Sequence, residues 1–217
     1  MSSLVHYASS RLTRLPPVAI EIRKALSTDI AQLLRIRLMA HGGFNEALYE
    51  NLELSVEAII ETELGDSAST EYYGNYWVAV DNGEIVGGLS AYPFDDENPV
   101  IDHPLLPPER LVLESPFASI EEPGSYFIHA IAVFAESRRR GTGAKLLDLA
   151  QAHAVAGGFG LLSLYVFAQN SAAIALYKKQ GYREAGRSPL IPHPKLAYSG
   201  DVCLMTCPTS QGIPDLD

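Results

Sequence analysis

The residues from Tyr126 to Gly143 constrain the fold of this chain more than any other stretch. Tyr126 to Phe134 is rich in β-branched and aromatic residues and apolar on both alternating sets, the pattern of a strand covered on both faces. Arg138, Gly141 and Gly143 follow as an R-x-x-G-x-G turn. Leu146, Leu149, Ala150 and Ala154 then recur at helical spacing until Gly157-Gly158. The prediction is a strand, a tight turn and a helix. A helix that opens on glycines aims several backbone N–H groups at one spot, which its dipole makes favourable for an anion. Two readings stand: a phosphate cradle, or glycines that only permit a sharp turn. A Walker A loop is excluded because Gly143 is followed by Ala144 and Lys145, and a Rossmann fingerprint because Leu146 stands where a third small residue belongs.

A second strand and helix run from Leu161 to Tyr182. Val133 followed by Arg138-x-x-Gly141-x-Gly143, then Asn170-x-x-Ala173-x-x-Leu176-Tyr177-x-x-x-Gly181-Tyr182, resembles the acetyl-coenzyme A core of the GNAT superfamily of N-acetyltransferases, over roughly residues 125 to 185. The resemblance implies an α/β (α+β) fold: a mixed, mostly antiparallel central sheet, splayed between its fourth and fifth strands and flanked by helices.

Composition narrows the partners. A chain of 217 residues, 47% hydrophobic, suffices for one well-buried core. A formal charge of -10 argues against a general nucleic-acid or membrane-surface role, with Arg138, Arg139 and Arg140 as a local basic patch sized for a small anion. No apolar run is long enough to cross a bilayer. Cys203 and Cys207 are too few and too late for a disulfide framework or a zinc site; they read as structural thiols, in keeping with a reducing, cytoplasmic setting. A homodimer is among the assemblies the sequence leaves open.

The organisation expected is a flexible tail over residues 1–17, one domain over 18–207 with an insertion at 93–124, and a second tail over 208–217. Val18 to Arg23 reads as a first strand and Ser27-Thr28-Asp29 as a helix cap, with Leu33, Leu34, Arg37 and Leu38 on one face and His41-Gly42-Gly43 as the stop. Phe44 to Leu52 reads as a short helix, and Ser55 as the cap of another. Tyr76 to Val80 and Ile85 to Tyr92 flank Asn82-Gly83, a type I′ hairpin signal. Gly87-Gly88 reads as a bulge or a close approach. The insertion is proline-rich and acidic, with one short helix near Glu109 to Leu113, and forms either a lid or a solvated surface loop. Tyr182 to Arg187 and Asp201 to Thr206 are expected to pair antiparallel, joined by a proline-rich loop.

The resemblance also assigns a site. Acetyl-coenzyme A, with no metal, would lie between the splayed strands. Its pantetheine arm would meet Ile131, Ala132 and Val133, and its pyrophosphate Arg138 to Arg140, Gly141, Thr142, Gly143 and Ala144. Asn170 and Ala173 would flank the arm, Asn170 also reading as an N-cap. An ammonium must lose its proton before attack. His129 reads as that base, directly or through water, or as a core histidine. Tyr177 reads as the acid beside the leaving sulfur or as a core aromatic. Phe44, Asn45 and Tyr49 are expected on the acceptor side, as substrate contacts or ordinary packing. The expected function is direct acetyl transfer to a small-molecule or peptide amine, with no covalent enzyme intermediate; a non-catalytic acyl-coenzyme A-binding domain is the alternative.

Overall fold

The structure is a computed structural model that describes residues 20–94, 106 and 108–209. Strand β1 (Glu21–Lys24) is short and pairs with β2 (Tyr76–Asp81); the expected start of β1 at Val18 lies outside the described residues. Asn82 and Gly83 turn the chain with φ of 51° and 84°, the two left-handed positions of a type I′ turn, and lead into β3 (Glu84–Pro93). Strands β4 (Tyr126–Val133), β5 (Leu161–Phe167), β6 (Arg183–Pro189) and β7 (Asp201–Pro208) complete one seven-stranded sheet in the order β1-β2-β3-β4-β5-β7-β6. Every neighbouring pair is antiparallel except β4 and β5.

Helices cover both faces. Helix α1 (Ile30–His41) ends on Gly42 in the left-handed region, and α2 (Phe44–Leu48) follows at once, shorter than the Phe44 to Leu52 expected. Helix α3 (Val56–Gly65) is capped by the Ser55 hydroxyl, which accepts from the Ala58 N–H at 3.2 Å. Ser27–Asp29 forms a 3-10 turn before α1. Its Asp29 carboxylate closes that turn on the Leu26 N–H at 2.8 Å and pairs with Arg23, without capping α1. These three helices bury Leu33, Ile36, Ile60 and Leu64 against Val78 and Ala130.

The other face carries α6 (Thr142–Ala156) and α7 (Ser171–Lys179), which bury Leu146, Leu147 and Tyr177 against Leu162, Leu164 and Met205. Each fully buried leucine contributes about 1.5–3 kcal/mol. The described part of the insertion holds α4 (Pro108–Leu111), a 3-10 turn (Val112–Glu114) and α5 (Ser115–Ala118) in place of a single helix over Glu109 to Leu113. Asp95, Asp96, Glu97 and Asp102 of the expected acidic stretch lie outside the described residues. At the C-terminal end, Thr209 is buried, its N–H and hydroxyl donating to the carbonyls of Gly160 and Phe159, so the fold extends past the start expected for the tail at 208.

Candidate functional site

Strands β4 and β5 pair only from Tyr126 to Ile128, against Leu162 to Leu164. Beyond that they part. Strand β4 stays on β3 as far as Val133 opposite Gly87, while β5 stays on β7 as far as Phe167 opposite Val202. The β5-facing edge of Ile131, Ala132 and Val133 therefore has no strand partner. Gly87 makes the tight β3 contact possible, since a Cβ there would lie 2.5 Å from the Ala132 carbonyl oxygen.

The register of β3 on β4 slips at His129: Ser90 faces Ala130 and Ala91 faces Ile128, so His129 is the extra residue of a bulge. The bulge reverses the alternation. Tyr126 and Ile128 belong to the cluster under α6 and α7, as do Ile131 and Val133 after it, whereas Ala130 and Ala132 turn to the α1 side. A second slip, at Val86 between β2 and β3, stands beside the expected Gly87-Gly88 irregularity.

The turn after β4 places its groups differently from one another. The Arg138 Nε donates to the Val133 carbonyl at 3.0 Å, and Arg140 pairs with Asp81 of the β2–β3 hairpin at 2.5 Å. Arg139 is exposed, with φ of 61°, and has no side-chain partner among the described residues. Of the three arginines, two are therefore engaged with the protein. Gly141 has φ of 82°, and the first helical bond of α6 runs from the Lys145 N–H to the Gly141 carbonyl at 3.1 Å. The N–H groups of Thr142, Gly143 and Ala144 precede that bond and have no carbonyl a turn below them. Thr142 is 2% exposed and its buried Oγ1 has no partner among the described residues. A Cβ on Gly143 would come within 2.9 Å of Leu176 on α7, so the glycine lets the start of α6 pack closely against α7.

On α7, the Asn170 side chain is an N-cap, accepting from the Ala173 N–H at 3.2 Å. Tyr177 is buried beside Tyr182, ring centroids 5.8 Å apart, and burial pushes its phenol well above the ordinary range, so it holds its proton at neutral pH. Cys203 and Cys207 are free, buried thiols on β7.

His129 meets a buried network that the sequence did not announce. Its Nδ1 lies 2.8 Å from Glu71 Oε1, with the N–H bent off the line of a straight hydrogen bond. Glu71 Oε2 accepts from the Tyr76 hydroxyl at 2.9 Å and lies 3.7 Å from Arg37 Nη1. Arg37 is 2% exposed and donates to Glu63 at 2.6 Å; Tyr49 donates to the other oxygen of Glu63 at 3.0 Å. Burial alone would raise the Glu71 carboxyl, but the charges of His129 and Arg37 outweigh it and hold the group well below the usual carboxylate range. His41 stands edge-on to His129 with centroids 4.6 Å apart. Burial, with His129 and Arg37 nearby, pushes the His41 imidazole down to about 3, so it is neutral at pH 7.

Of the expected acceptor-side residues, Tyr49 and Asn45 are buried in this layer, Asn45 beside His41 Nδ1 at 3.1 Å. Phe44 stays half-buried and packs edge-on against Phe117 at 4.9 Å. Phe117 continues to Tyr165, then Phe127, then His129 through ring contacts of 5.3, 5.3 and 6.1 Å. A signal for the missed residues existed on the helices. Arg37 and Glu63 occupy positions in the apolar stripes of α1 and α3, where a charge needs an opposite one. Glu71 lies between elements and follows no period.

The model of the acetyltransferase (GNAT) family matches residues 44–182, most of the chain, from α2 through the end of α7. The chain belongs to the GNAT acetyltransferase family. It is 28% identical over 141 residues to "N-acetyltransferase family 8 member 3" from Rattus norvegicus, a match to 65% of this chain. This GNAT chain spans about half of that relative, 52% of its length. A solved acetyltransferase is similar at TM-score 0.62 and 25% identity, over 88% of this chain and 100% of its own. The ribosomal-protein-S18-alanine N-acetyltransferase from Escherichia coli shares the fold at TM-score 0.54 and 20% identity, over 92% of this chain and 99% of its own.

Proposed function

We propose that this GNAT chain is an N-acetyltransferase that moves the acetyl group of acetyl-coenzyme A directly to an amine. The observation that carries the reading is the convergence of the β4–β5 gap with a glycine-opened helix start. The residues present fit the coenzyme. Thr142 Oγ1 is buried and unpartnered, and the N–H groups of Thr142, Gly143 and Ala144 form an anion cradle where Gly141 has left-handed backbone. Pyrophosphate would be held there by Arg139, Gly141, Thr142, Gly143 and Ala144. Arg138 and Arg140 would contribute mainly long-range attraction, because each already has a protein partner. Ile131, Ala132 and Val133 would take the pantetheine arm, with Asn170 and Ala173 opposite.

Acetyl-coenzyme A supplies an acyl group activated toward amines as a thioester. His129 takes the proton of the incoming ammonium on Nε2, the ring nitrogen not facing Glu71. Tyr177 keeps its proton until the sulfur departs and then donates it there. The backbone N–H near Val133 faces the developing oxyanion. The acceptor is a small-molecule or peptide amine. Phe44 offers an apolar face to it, while Asn45 and Tyr49 shape that wall from behind. Two buried free thiols fit a reducing, cytoplasmic setting.

The test is a calorimetric titration with acetyl-coenzyme A, repeated on Gly141→Glu. The substitution strains a left-handed position and sends a carboxylate into open space beside the cradle. Binding in the wild type that is lost in the folded variant supports the reading and opens an amine screen. No binding in the folded wild type removes it.

A further inference from the structure

We propose that Glu71 is a positioning residue for His129: it holds the neutral ring as the tautomer with hydrogen on Nδ1 and keeps the Nε2 lone pair free to take a proton. The inference rests on the acetyltransferase reading above and assigns a role to a carboxylate outside both motif blocks. Glu71 uses its two oxygens differently. Oε2 is occupied by the Tyr76 hydroxyl at 2.9 Å and faces Arg37 at 3.7 Å, whereas Oε1 lies 2.8 Å from His129 Nδ1. Neutralising Arg37 does not account for that arrangement, because Glu63 already pairs with Arg37 at 2.6 Å.

The ring itself is asymmetric. Nδ1 is buried against Glu71, while Nε2 has no partner among the described residues and the side chain keeps 14% exposure. A carboxylate near one imidazole nitrogen makes that nitrogen the donor and leaves the other as the acceptor. When Nε2 takes a proton from an ammonium, one N–H bond breaks and one forms. The resulting imidazolium faces a carboxylate 2.8 Å away.

The groups around the pair do not contest this assignment. Arg37 and His41 approach from α1, Glu63 from α3 and Tyr49 from just after α2, Glu63 bound to Arg37 and Tyr49 bound to Glu63. Tyr76 of β2 donates to Glu71, and Tyr92 of β3 lies along the ring at 5.9 Å. Tyr165 of β5 packs between Phe117 and Phe127, and its hydroxyl donates to the Phe117 carbonyl. His41 is neutral at pH 7 and so sets no like charge beside the ring.

The test reads the tautomer by long-range proton–nitrogen NMR on histidine-labelled full chain, wild type and Glu71→Gln. A wild-type ring protonated on Nδ1, with a shift toward the Nε2–H form in Glu71→Gln, is the expected result. An Nε2–H wild type, or the same tautomer in both proteins, overturns the proposal, and the wild-type reading needs no variant to fold. Glu71→Asp, which retracts the carboxylate by one methylene, is expected to lie between the two. With an amine substrate in hand, Glu71→Gln should lower kcat by about 10²–10⁴-fold, with the KM for acetyl-coenzyme A within about twofold. Titration of the same samples with acetyl-coenzyme A separates the two failures. A protein with the expected tautomer that binds no coenzyme ends the acetyltransferase reading and leaves the Glu71 contact standing.

Discussion

Arg37 shows what a single buried charge imposes on this fold. Its guanidinium is enclosed between Glu63 and Glu71, and each acid is in turn satisfied by a tyrosine hydroxyl. Replacing Arg37 by Met keeps much of the volume but leaves two carboxylates without their cation. Urea unfolding should show a loss of about 3–5 kcal/mol; a loss under 1 kcal/mol would mean that the acids simply take up protons. His41 makes a separate contribution. Its folded pKa of about 3 lies below the reference of 6.5, so the unfolded chain binds the proton first as pH falls. The stability from neutral His41 is complete above pH 6.5 and is lost progressively from there toward pH 3, with a slope of at most about 1.4 kcal/mol per pH unit. Glu71, shifted downward, contributes stability that is full above 4.5 and disappears only at lower pH. Unfolding measured between pH 7 and 5 should therefore show a decline that His41→Gln flattens. An identical slope in both proteins would refute the assignment to His41.

Three segments far apart in the chain meet at one carboxylate. Glu50, just after α2, lies 3.8 Å from Arg110 of α4 and 3.3 Å from His193 of the β6–β7 loop. Arg110 also donates to the carbonyls of Ala47 and Glu50, and the loop docks on α1 through the Ala197 N–H to the Gly42 carbonyl at 2.9 Å. Glu50→Gln should raise amide exchange rates in residues 108–118 and 190–200 together, with a stability change within about 1 kcal/mol because the pairs are part-exposed. Faster exchange in one segment only would show that Glu50 does not couple them. This junction was not legible in the sequence, since it joins positions far apart through contacts with no period. The β2–β3 hairpin was legible, because Asn82-Gly83 fixes a turn type locally. The strand over Tyr126 to Phe134 was legible too, but not its bulge: every position near His129 except the histidine is apolar, so alternation carries no phase there. The cap before α1 differed because Asp29 found Arg23 as a partner, a tertiary contact overriding a local preference.

Across the molecule, strands β1–β4 and β5–β7 form two half-sheets joined by three residue pairs at the start of β4 and β5 and by the helices packed beneath. A ligand held by both Val133 and Asn170 would bridge the halves. Saturating acetyl-coenzyme A should raise stability by about 2.7 kcal/mol at a hundred times its Kd, seen as a higher Tm. It should also slow exchange in both β4 and β5; protection confined to one of them would place the coenzyme elsewhere. Both motif blocks flank this gap, which is why the gap was legible as a family pattern while the charge network around Glu71 was not.

The bulge at His129 divides β4 into two reading frames. Ahead of it the even-numbered residues face α6 and α7, and behind it the odd-numbered ones do. A point substitution can alter a side chain in either frame but cannot merge the two. Loss of the bulge residue itself would merge them and leave Ile131 and Val133 on the face they already occupy. Loss or gain of a residue elsewhere in the strand would instead exchange the faces of everything downstream to Val133. For this strand, insertions and deletions are therefore a harsher class of change than any replacement, and its length is as much a part of its chemistry as its composition.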